Sequence, residues 1–254
     1  MQKKNIFNDS VFIKILMAVT FIAMTTTYII FTEEKTAPKN LLKLLPYYIS
    51  LLIGFLQSFA NRFYLIIGAI NSLFYTFAYF MLDTPAMAFY ALLFSFPIQL
   101  ITYFKWSRRS YGNSTVFRRL TKKHLLILAA SVAGVWTALY FIFKSFGKPY
   151  LILDNTTMLF GILTTFLTFL SYIDAVYFQI FTSSITIVLY IQMVVHDISR
   201  IPFLIFSLYS MVCVIRSMRS MLAIYKKQKE SGITYAEAAH AYHSSKNKKK
   251  EKNQ

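Results

Sequence analysis

Hydrophobic residues in this chain fall into long blocks that short polar segments separate. The block LLILAASVAGVWTALYFIF, which begins at Leu125, contains no charged residue. About 20 such residues, each with a rise of about 1.5 Å, form a helix about 30 Å long, which is enough to cross a bilayer. Strands of a membrane barrel would alternate apolar with polar residues instead. The pattern therefore predicts an all-α polytopic membrane helix bundle of about eight transmembrane helices, at residues 11–31, 45–61, 63–82, 86–106, 125–146, 153–172, 175–194 and 200–224.

Two prolines carry separate expectations. Pro46 lies at the predicted start of its helix, where a missing N–H is tolerated. Pro97 lies well inside the fourth block, so it predicts a kink in that helix. The kink could serve as a hinge or as a static bend that improves packing, and both interpretations stay open.

Composition and charge agree with a membrane protein and orient it. Of the 254 residues 56% are hydrophobic and 15% are charged, which leaves too few polar residues to cover a soluble domain. The formal net charge is +17, and most lysines and arginines lie in residues 106–124 and in the tail. Basic segments mark cytoplasmic loops, so we expect a plasma-membrane protein with both termini in the cytoplasm. The tail, residues 225–254, is predicted to be disordered and to meet anionic lipid rather than nucleic acid.

The chain also contains a weak internal duplication. A shift of 111 residues aligns Ile70-Asn71-Ser72 with Phe181-Thr182-Ser183. Three predicted helices lie on each side of one connecting helix, so both triplets run in the same direction, as in parallel-repeat transporters. The predicted units are an N-terminal helix with an outer loop (1–44), a first repeat (45–106), a basic loop with a linker helix (107–152), a second repeat (153–224) and the tail (225–254).

The stretch from Gly68 to Arg109 resembles the PnuC family of nicotinamide riboside transporters. It begins with G-x-I-N and ends with K-W-S-R-R, and Asp154 stands where the family has W-D at a helix start. The resemblance covers residues 45–220. It implies a SWEET-like 3+1+3 fold, with facilitated diffusion of nicotinamide riboside or a related vitamin or nucleoside and intracellular phosphorylation as the trap. It also implies a homo-oligomer, a trimer, and it implies no cofactor.

The second repeat departs from the family pattern. In place of the family's W-x-x-W-x-x-x-N motif this chain has Ala175, Phe178 and Thr182. Near the end of the fourth helix, Ile101-Thr102-Tyr103 replaces Y-G-W. The fold tolerates such changes, but the substrate does not follow from them. A PnuC-like carrier of thiamine or riboflavin is therefore an alternative.

A heterocycle joined to a sugar requires aromatic faces and a few amide or hydroxyl groups. Asn71 lies about eight residues into its helix, near the midplane where transporter sites lie, and Thr182 has a similar depth in the other repeat. The candidate substrate-binding residues are Asn71, Tyr75, Gln99, Tyr103, Phe178, Gln179, Thr182 and Ser183. Each also has a structural interpretation: amides join helices, hydroxyls let backbones approach, and aromatic rings pack.

The positions of the acidic residues bear on ion coupling and on catalysis. The aspartates nearest the spans fall at span ends: Asp83, Asp154, Asp174 and Asp197. Ion-coupled carriers place carboxylates inside the membrane, so an uncoupled facilitator is predicted. The chain has no H-E-x-x-H or G-x-S-x-G motif, so we expect no catalytic residue and no metal site. The rivals from other classes are an integral membrane enzyme and an interaction protein whose bundle only anchors the tail.

Overall fold

The computed structural model describes residues 10–33, 37–145, 150–233 and Tyr235. Most of this part is helical, as the apolar blocks predict. The helices are α1 (Ser10–Phe31), α2 (Ala37–Ser58), α3 (Phe63–Met81), α4 (Pro85–Phe89), α5 (Phe96–Arg108), α6 (Lys122–Lys144), α7 (Leu151–Phe169), α8 (Ala175–His196) and α9 (Ile201–Glu230). A π-helical turn, Tyr90–Ser95, joins α4 to α5, and a 3-10 turn, Ile198–Arg200, precedes α9. Two short antiparallel strands, β1 (Ser110–Tyr111) and β2 (Ser114–Thr115), follow α5.

Eight spans in the described residues are long and apolar enough to cross a membrane, which is the predicted number. Two boundaries differ from the prediction. α2 begins at Ala37, so Pro46 lies inside the helix rather than at its start. α9 continues to Glu230, so residues 225–230 are helical rather than part of a disordered tail. The remainder of the predicted tail lies outside the described residues, apart from 231–233 and Tyr235.

The two predicted repeats pack against each other reciprocally. α2, α3 and α4–α5 form the first repeat, and α7, α8 and α9 form the second. α2 packs against α9 and α7 packs against α5, so the first helix of each repeat contacts the third helix of the other. α6 packs mainly against α7, and α1 packs against α9 and α2. The linker helix and the extra helix therefore lie outside the core that the repeats form.

The turns within the repeats confirm the duplication. Ala60 follows α2, Ser171 follows α7, and the two positions are 111 residues apart; both have a positive φ, of 52° and 60°. In each turn the next amide reaches back to a carbonyl five residues earlier, at 3.2 and 2.9 Å. A positive φ is unusual for residues with a side chain. Its recurrence at equivalent positions indicates that the two halves share one structural plan.

The fourth span is irregular where the sequence predicts a kink. Pro97 is the second residue of α5 and has no N–H to donate. The six residues before α5 form the π-turn, Tyr90–Ser95. Such turns often mark functional positions in helices. Here the π-turn places Tyr90, Ala91 and Ser95 in the wall of an internal cavity.

Candidate substrate-binding cavity

A cavity of about 300 Å³ lies between the two repeats. Its walls come from α2, α3, the π-turn and α5 on one side and from α7, α8 and α9 on the other. Many wall residues form pairs 111 positions apart, for example Asn71 with Thr182 and Tyr79 with Tyr190. Cavities of this size enclose small molecules. The duplicated halves thus enclose a site that neither half forms alone.

Asn71, a predicted site residue, is 1% exposed and lies in the cavity wall. Its Nδ2 donates to the Pro46 carbonyl and to Ser50 Oγ, both on α2 and both at 2.8 Å. Because a carbonyl only accepts, these bonds settle which end of the amide is nitrogen. Asn71 Oδ1 is buried and has no hydrogen-bond partner in the described residues. The side chain therefore joins α2 to α3 and still leaves one acceptor free.

Thr164 provides a second free group from the opposite repeat. This residue lies in the cavity wall on α7, and its Oγ1 is buried without a hydrogen-bond partner in the described residues. Thr182, by contrast, donates its hydroxyl to the carbonyl of Phe178 at 2.9 Å. A hydroxyl can both donate and accept. Each repeat therefore has, on one residue of the cavity wall, a buried side-chain oxygen without a hydrogen-bond partner in the described residues.

Tyr75 and Gln99, both predicted, line the cavity in hydrogen-bonded positions. The Tyr75 hydroxyl donates to Ser50 Oγ at 2.8 Å, and its ring stacks on Tyr79 with centroids 5.1 Å apart. Gln99 Nε2 donates to Ser95 Oγ. A Cβ at Gly68 would overlap the Gln99 carboxamide oxygen, so glycine gives this amide room against α3.

Tyr90 connects the π-turn to the second repeat. Its hydroxyl lies 2.7 Å from Thr165 Oγ1 on α7. A Cβ at Gly161 would lie only 3.0 Å from the Tyr90 ring, so the ring rests directly on the α7 backbone. The position of the Tyr90 ring therefore requires the small Gly161, which lies one helical turn before Thr165.

The predicted residues of α8 share one helical face. Gln179, Thr182 and Ser183 all line the cavity. Val176 and Thr186 line it as well, so the face runs at the spacing of three and four residues typical of a helix. These three predictions agree with the geometry of the cavity.

Phe178 and Tyr103, which were also predicted, are not among the residues that line the cavity. Phe178 stacks on Phe160 of α7 with centroids 6.4 Å apart. Tyr103 packs against Phe63 at 5.9 Å. Each lies one position beside a cavity-facing residue, and one residue turns a helix by about 100°. Their rings therefore pack between helices.

The sequence did not predict a stripe of small residues on α7, which are four threonines and one glycine. Its members line the cavity at helical spacing: Thr157, Gly161, Thr164, Thr165 and Thr168. The periodic spacing is the signal that could have revealed this face. Threonines are common in membrane helices, however, because the hydroxyl bonds to the helix backbone. Composition alone therefore does not distinguish this stripe from ordinary packing.

Aromatic residues close the cavity at the end where α3 ends and α9 begins. Tyr47 of the first repeat is 1% exposed, and its hydroxyl lies 2.6 Å from that of Tyr190 of the second. Phe203 and Phe206 of α9 pack on the Tyr47 ring at 4.8 and 5.1 Å. A tyrosine pair and two phenylalanines thus join the repeats at this end.

The opposite end of the bundle, where α5 ends and α6 begins, is called the basic end because it carries Arg108, Arg109, Arg118, Arg119, Lys122 and Lys123. Trp106 lines the cavity here and is 1% exposed. Its Nε1 donates to the Thr168 carbonyl at 3.2 Å, which joins α5 to α7. The Phe117 ring packs edge-on against Trp106 at 5.6 Å.

The cavity wall carries no formal charge. Among the residues that line it, all within the described part of the chain, none is Asp, Glu, Lys, Arg or His. Asp154 is buried at the start of α7, but its carboxylate accepts the amides of Ala86 and Met87 at 3.0 and 3.1 Å. It therefore caps the start of α4 from the other repeat. Within the described residues no group of His, Cys, Asp or Glu is placed to hold a metal ion.

Comparison with known proteins identifies the family. A family model described as nicotinamide mononucleotide transporter matches residues 40–220, which is most of the chain. The chain belongs to the nicotinamide mononucleotide transporter family. Among solved structures it is similar to the crystal structure of the vitamin B3 transporter PnuC, with a TM-score of 0.70 and 14% identity over 85% of this chain and 91% of that chain. At this identity the likeness shows a common fold. A comparison with curated proteins finds no match.

Membership in the nicotinamide mononucleotide transporter family confirms the resemblance that residues 68–109 predict. The chain is a multi-pass membrane protein and a transporter of a small vitamin- or nucleotide-related solute, not an enzyme. The cavity between the repeats is the candidate site for that solute.

Proposed function

We propose that this transporter carries nicotinamide riboside, or a closely similar flat heterocycle with a sugar, through the cavity by facilitated diffusion. One observation carries the proposal: aromatic rings and no charged side chain line the cavity in the described part of the chain, and one wall residue of each repeat, Asn71 and Thr164, has a side-chain oxygen without a hydrogen-bond partner. Seven further residues of α8 and α7 line the cavity and carry hydroxyl or amide groups: Gln179, Thr182, Ser183, Thr186, Thr157, Thr165 and Thr168.

The aromatic walls suit a cationic ring. Tyrosine lines the cavity on both repeats, including Tyr75, Tyr79, Tyr90 and Tyr190. A cation over an aromatic face is stabilised by about 0.5–2 kcal/mol, and by more where water is excluded. The pyridinium of nicotinamide riboside is flat and carries one positive charge. Its carboxamide N–H can donate to Asn71 Oδ1, and its ribose can bond to hydroxyls of α7 and α8.

The same walls disfavour a mononucleotide. A phosphate monoester carries a charge of about −1.5 to −2 at neutral pH. No arginine, lysine or histidine lines the described cavity to pair with it. An unpaired ion is expensive to move out of water. We therefore expect the dephosphorylated nucleoside to cross, and phosphorylation inside the cell to prevent its return.

The absence of a carboxylate among the cavity residues supports uncoupled transport. Proton- and sodium-driven carriers place ionisable groups along their path. Asp154, the buried acid nearest the cavity, already accepts two backbone amides. We propose that the solute moves down its own gradient.

The arginines and lysines at the basic end support an orientation with this end in the cytoplasm of a plasma-membrane protein. Because the number of described spans is even, we expect both ends of the bundle on that side. A homotrimer, which the resemblance implies, stays a prediction.

The decisive experiment measures ligand binding and uptake with the full-length protein. A ligand that binds only the folded state raises its apparent stability. We expect nicotinamide riboside to raise the melting temperature and to enter proteoliposomes, and nicotinamide mononucleotide to do neither. A response to thiamine or riboflavin alone would assign the substrate to the alternative class. Binding and uptake of the mononucleotide would contradict the argument from charge.

A further inference from the structure

A short segment after α5 crosses the basic end of the cavity and contacts both repeats. Residues 113–118 form this segment, which we call the strap. Arg62 N–H donates to the Asn113 carbonyl at 2.9 Å, and Ile173 N–H donates to the Arg118 carbonyl at 2.8 Å. Arg62 and Ile173 are equivalent positions, 111 residues apart, in the α2–α3 and α7–α8 turns. The strap therefore accepts one hydrogen bond from the equivalent backbone amide of each repeat.

Phe117 of the strap forms the floor of the cavity. It is 6% exposed, lines the cavity and packs edge-on against Trp106 with centroids 5.6 Å apart. The neighbouring Val116 is 2% exposed. This buried aromatic ring therefore lies on a loop rather than on a spanning helix.

Gln228 holds the strap from the end of α9. Its side chain is 2% exposed although it lies in the basic final turns of the helix. Gln228 Oε1 accepts the Phe117 amide at 3.0 Å, and Nε2 donates to the Thr115 carbonyl at 2.8 Å. These two hydrogen bonds hold the strap backbone on both sides of Val116. One side chain of the second repeat therefore helps to position Phe117, together with the backbone bonds of Val116 and Arg118.

We propose that Phe117 closes the basic end of the transport path and that Gln228 positions it there. A solute can leave at this end only if the repeats separate at their equivalent turns, and the strap connects those turns. Separation must therefore break the strap's bonds to one repeat. Release from Gln228 and from the α7–α8 turn frees Phe117, while the hairpin stays bonded to Arg62 and to the Arg109 carbonyl.

This inference rests on the proposal that the cavity is the transport path, but it needs no particular substrate. It is tested by thiol accessibility, because Cys213 is the chain's single cysteine and is buried. In a Cys213→Ala background, Thr168→Cys places a thiol in the cavity wall next to Trp106. A membrane-impermeant maleimide is then applied to vesicles of each orientation, so that reagent reaches either the basic end or the opposite end.

We expect Gln228→Ala and Phe117→Ala to raise the labelling rate about tenfold or more from the basic end alone. Each ordinary hydrogen bond changes an equilibrium about fivefold, and Gln228 makes two. Gln228→Glu retains an acceptor for the Phe117 amide and should give a smaller increase. Arg119→Ala is the matched control, because this neighbouring side chain is 66% exposed and pairs only loosely with Asp174, at 3.8 Å.

Three results would overturn the inference: unchanged labelling in the Gln228 and Phe117 variants, an equal increase from both ends, or an increase as large in Arg119→Ala. Folding of each variant is checked by its melting temperature, and Gln228→Glu keeps the test valid if Phe117→Ala does not fold. Because labelling uses no substrate, failure to transport nicotinamide riboside would leave this result intact and would refute the proposed substrate instead.

Discussion

Asn71→Ala separates the two roles that the structure gives to this residue. The wild-type side chain donates to Pro46 and Ser50, and its Oδ1 stays unpaired in the cavity wall. Ser50→Ala is a matched variant, because Ser50 Oγ accepts from both Asn71 and Tyr75. Each substitution therefore removes two hydrogen bonds between α2 and α3. Only Asn71→Ala also removes the free acceptor.

The expected magnitudes follow from these counts. Interhelical hydrogen bonds in membrane proteins contribute about 0.6 kcal/mol each on average, so both variants should lose about 1 kcal/mol of stability. A neutral hydrogen bond to the ligand contributes about 1 kcal/mol. Its loss raises the Kd about fivefold. Asn71→Ala should therefore bind nicotinamide riboside about fivefold more weakly than Ser50→Ala, at similar melting temperature without ligand.

The assay is thermal unfolding of the detergent-purified protein over a series of ligand concentrations. The Kd comes from the dependence of melting temperature on ligand concentration. Trp136→Phe on the linker helix is a distant control, because Trp136 bonds to Thr156 and is not among the cavity residues. Equal Kd values for the Asn71 and Ser50 variants would refute the reasoning and reduce Asn71 to a link between helices.

Three further predictions concern the Asp154 side chain that caps α4, the contact between Gly161 and the Tyr90 ring, and the driving force of transport. Asp154→Ala should lower the free energy of unfolding by about 3 kcal/mol or more, because bonds to a charged acceptor contribute about 1.5–3 kcal/mol each and Asp154 makes two; thermal unfolding measures the loss, and an unchanged melting temperature would contradict the role of the cap. Gly161→Ala should reduce uptake several-fold, since its Cβ would lie 3.0 Å from the Tyr90 ring, whereas Gly134→Ala, where nothing lies within 4 Å, should leave uptake unchanged. Collapse of the proton and sodium gradients should not alter uptake into proteoliposomes, and a loss of accumulation would indicate ion coupling through a group outside the cavity wall.

The fold could be predicted from the local hydrophobic pattern because a bilayer restricts which backbone structures can cross it. Backbone groups in lipid must bond within their own helix, so each apolar block has one favourable structure. The predicted start of α2 and the predicted end of α9 were wrong because polar residues near a helix end resemble a loop. The residues before Pro46 include Lys43, and a long lysine side chain can reach the interface from a helix. The helical turn around Gln228 looks like a charged tail, and its partners at residues 115 and 117 are distant in the sequence.

The residues of the candidate cavity could be predicted where a polar group is rare in its surroundings. Asn71, Gln99 and Gln179 are amides within apolar spans, and all three line the cavity. Aromatic residues gave no such signal, because rings are stable both in a cavity wall and between helices. A rotation of one residue separates Phe178 from Gln179, and no local pattern decides between them. Only the packing of α7 against α8 does so.

The distribution of free and satisfied hydroxyls is consistent with the proposed transport through the cavity. Thr157, Thr168, Thr182 and Thr186 each donate to a carbonyl of their own helix, at 2.7 to 2.9 Å. Because each of these hydroxyls already donates its proton, it can only accept a hydrogen bond from a solute. We therefore expect each to bind a solute weakly. Transport requires binding strong enough for entry and weak enough for exit. In the proposed mechanism, the unpaired oxygens of Asn71 and Thr164 are available to orient the solute from both repeats, and we expect separation of the repeats to remove one of the two contacts.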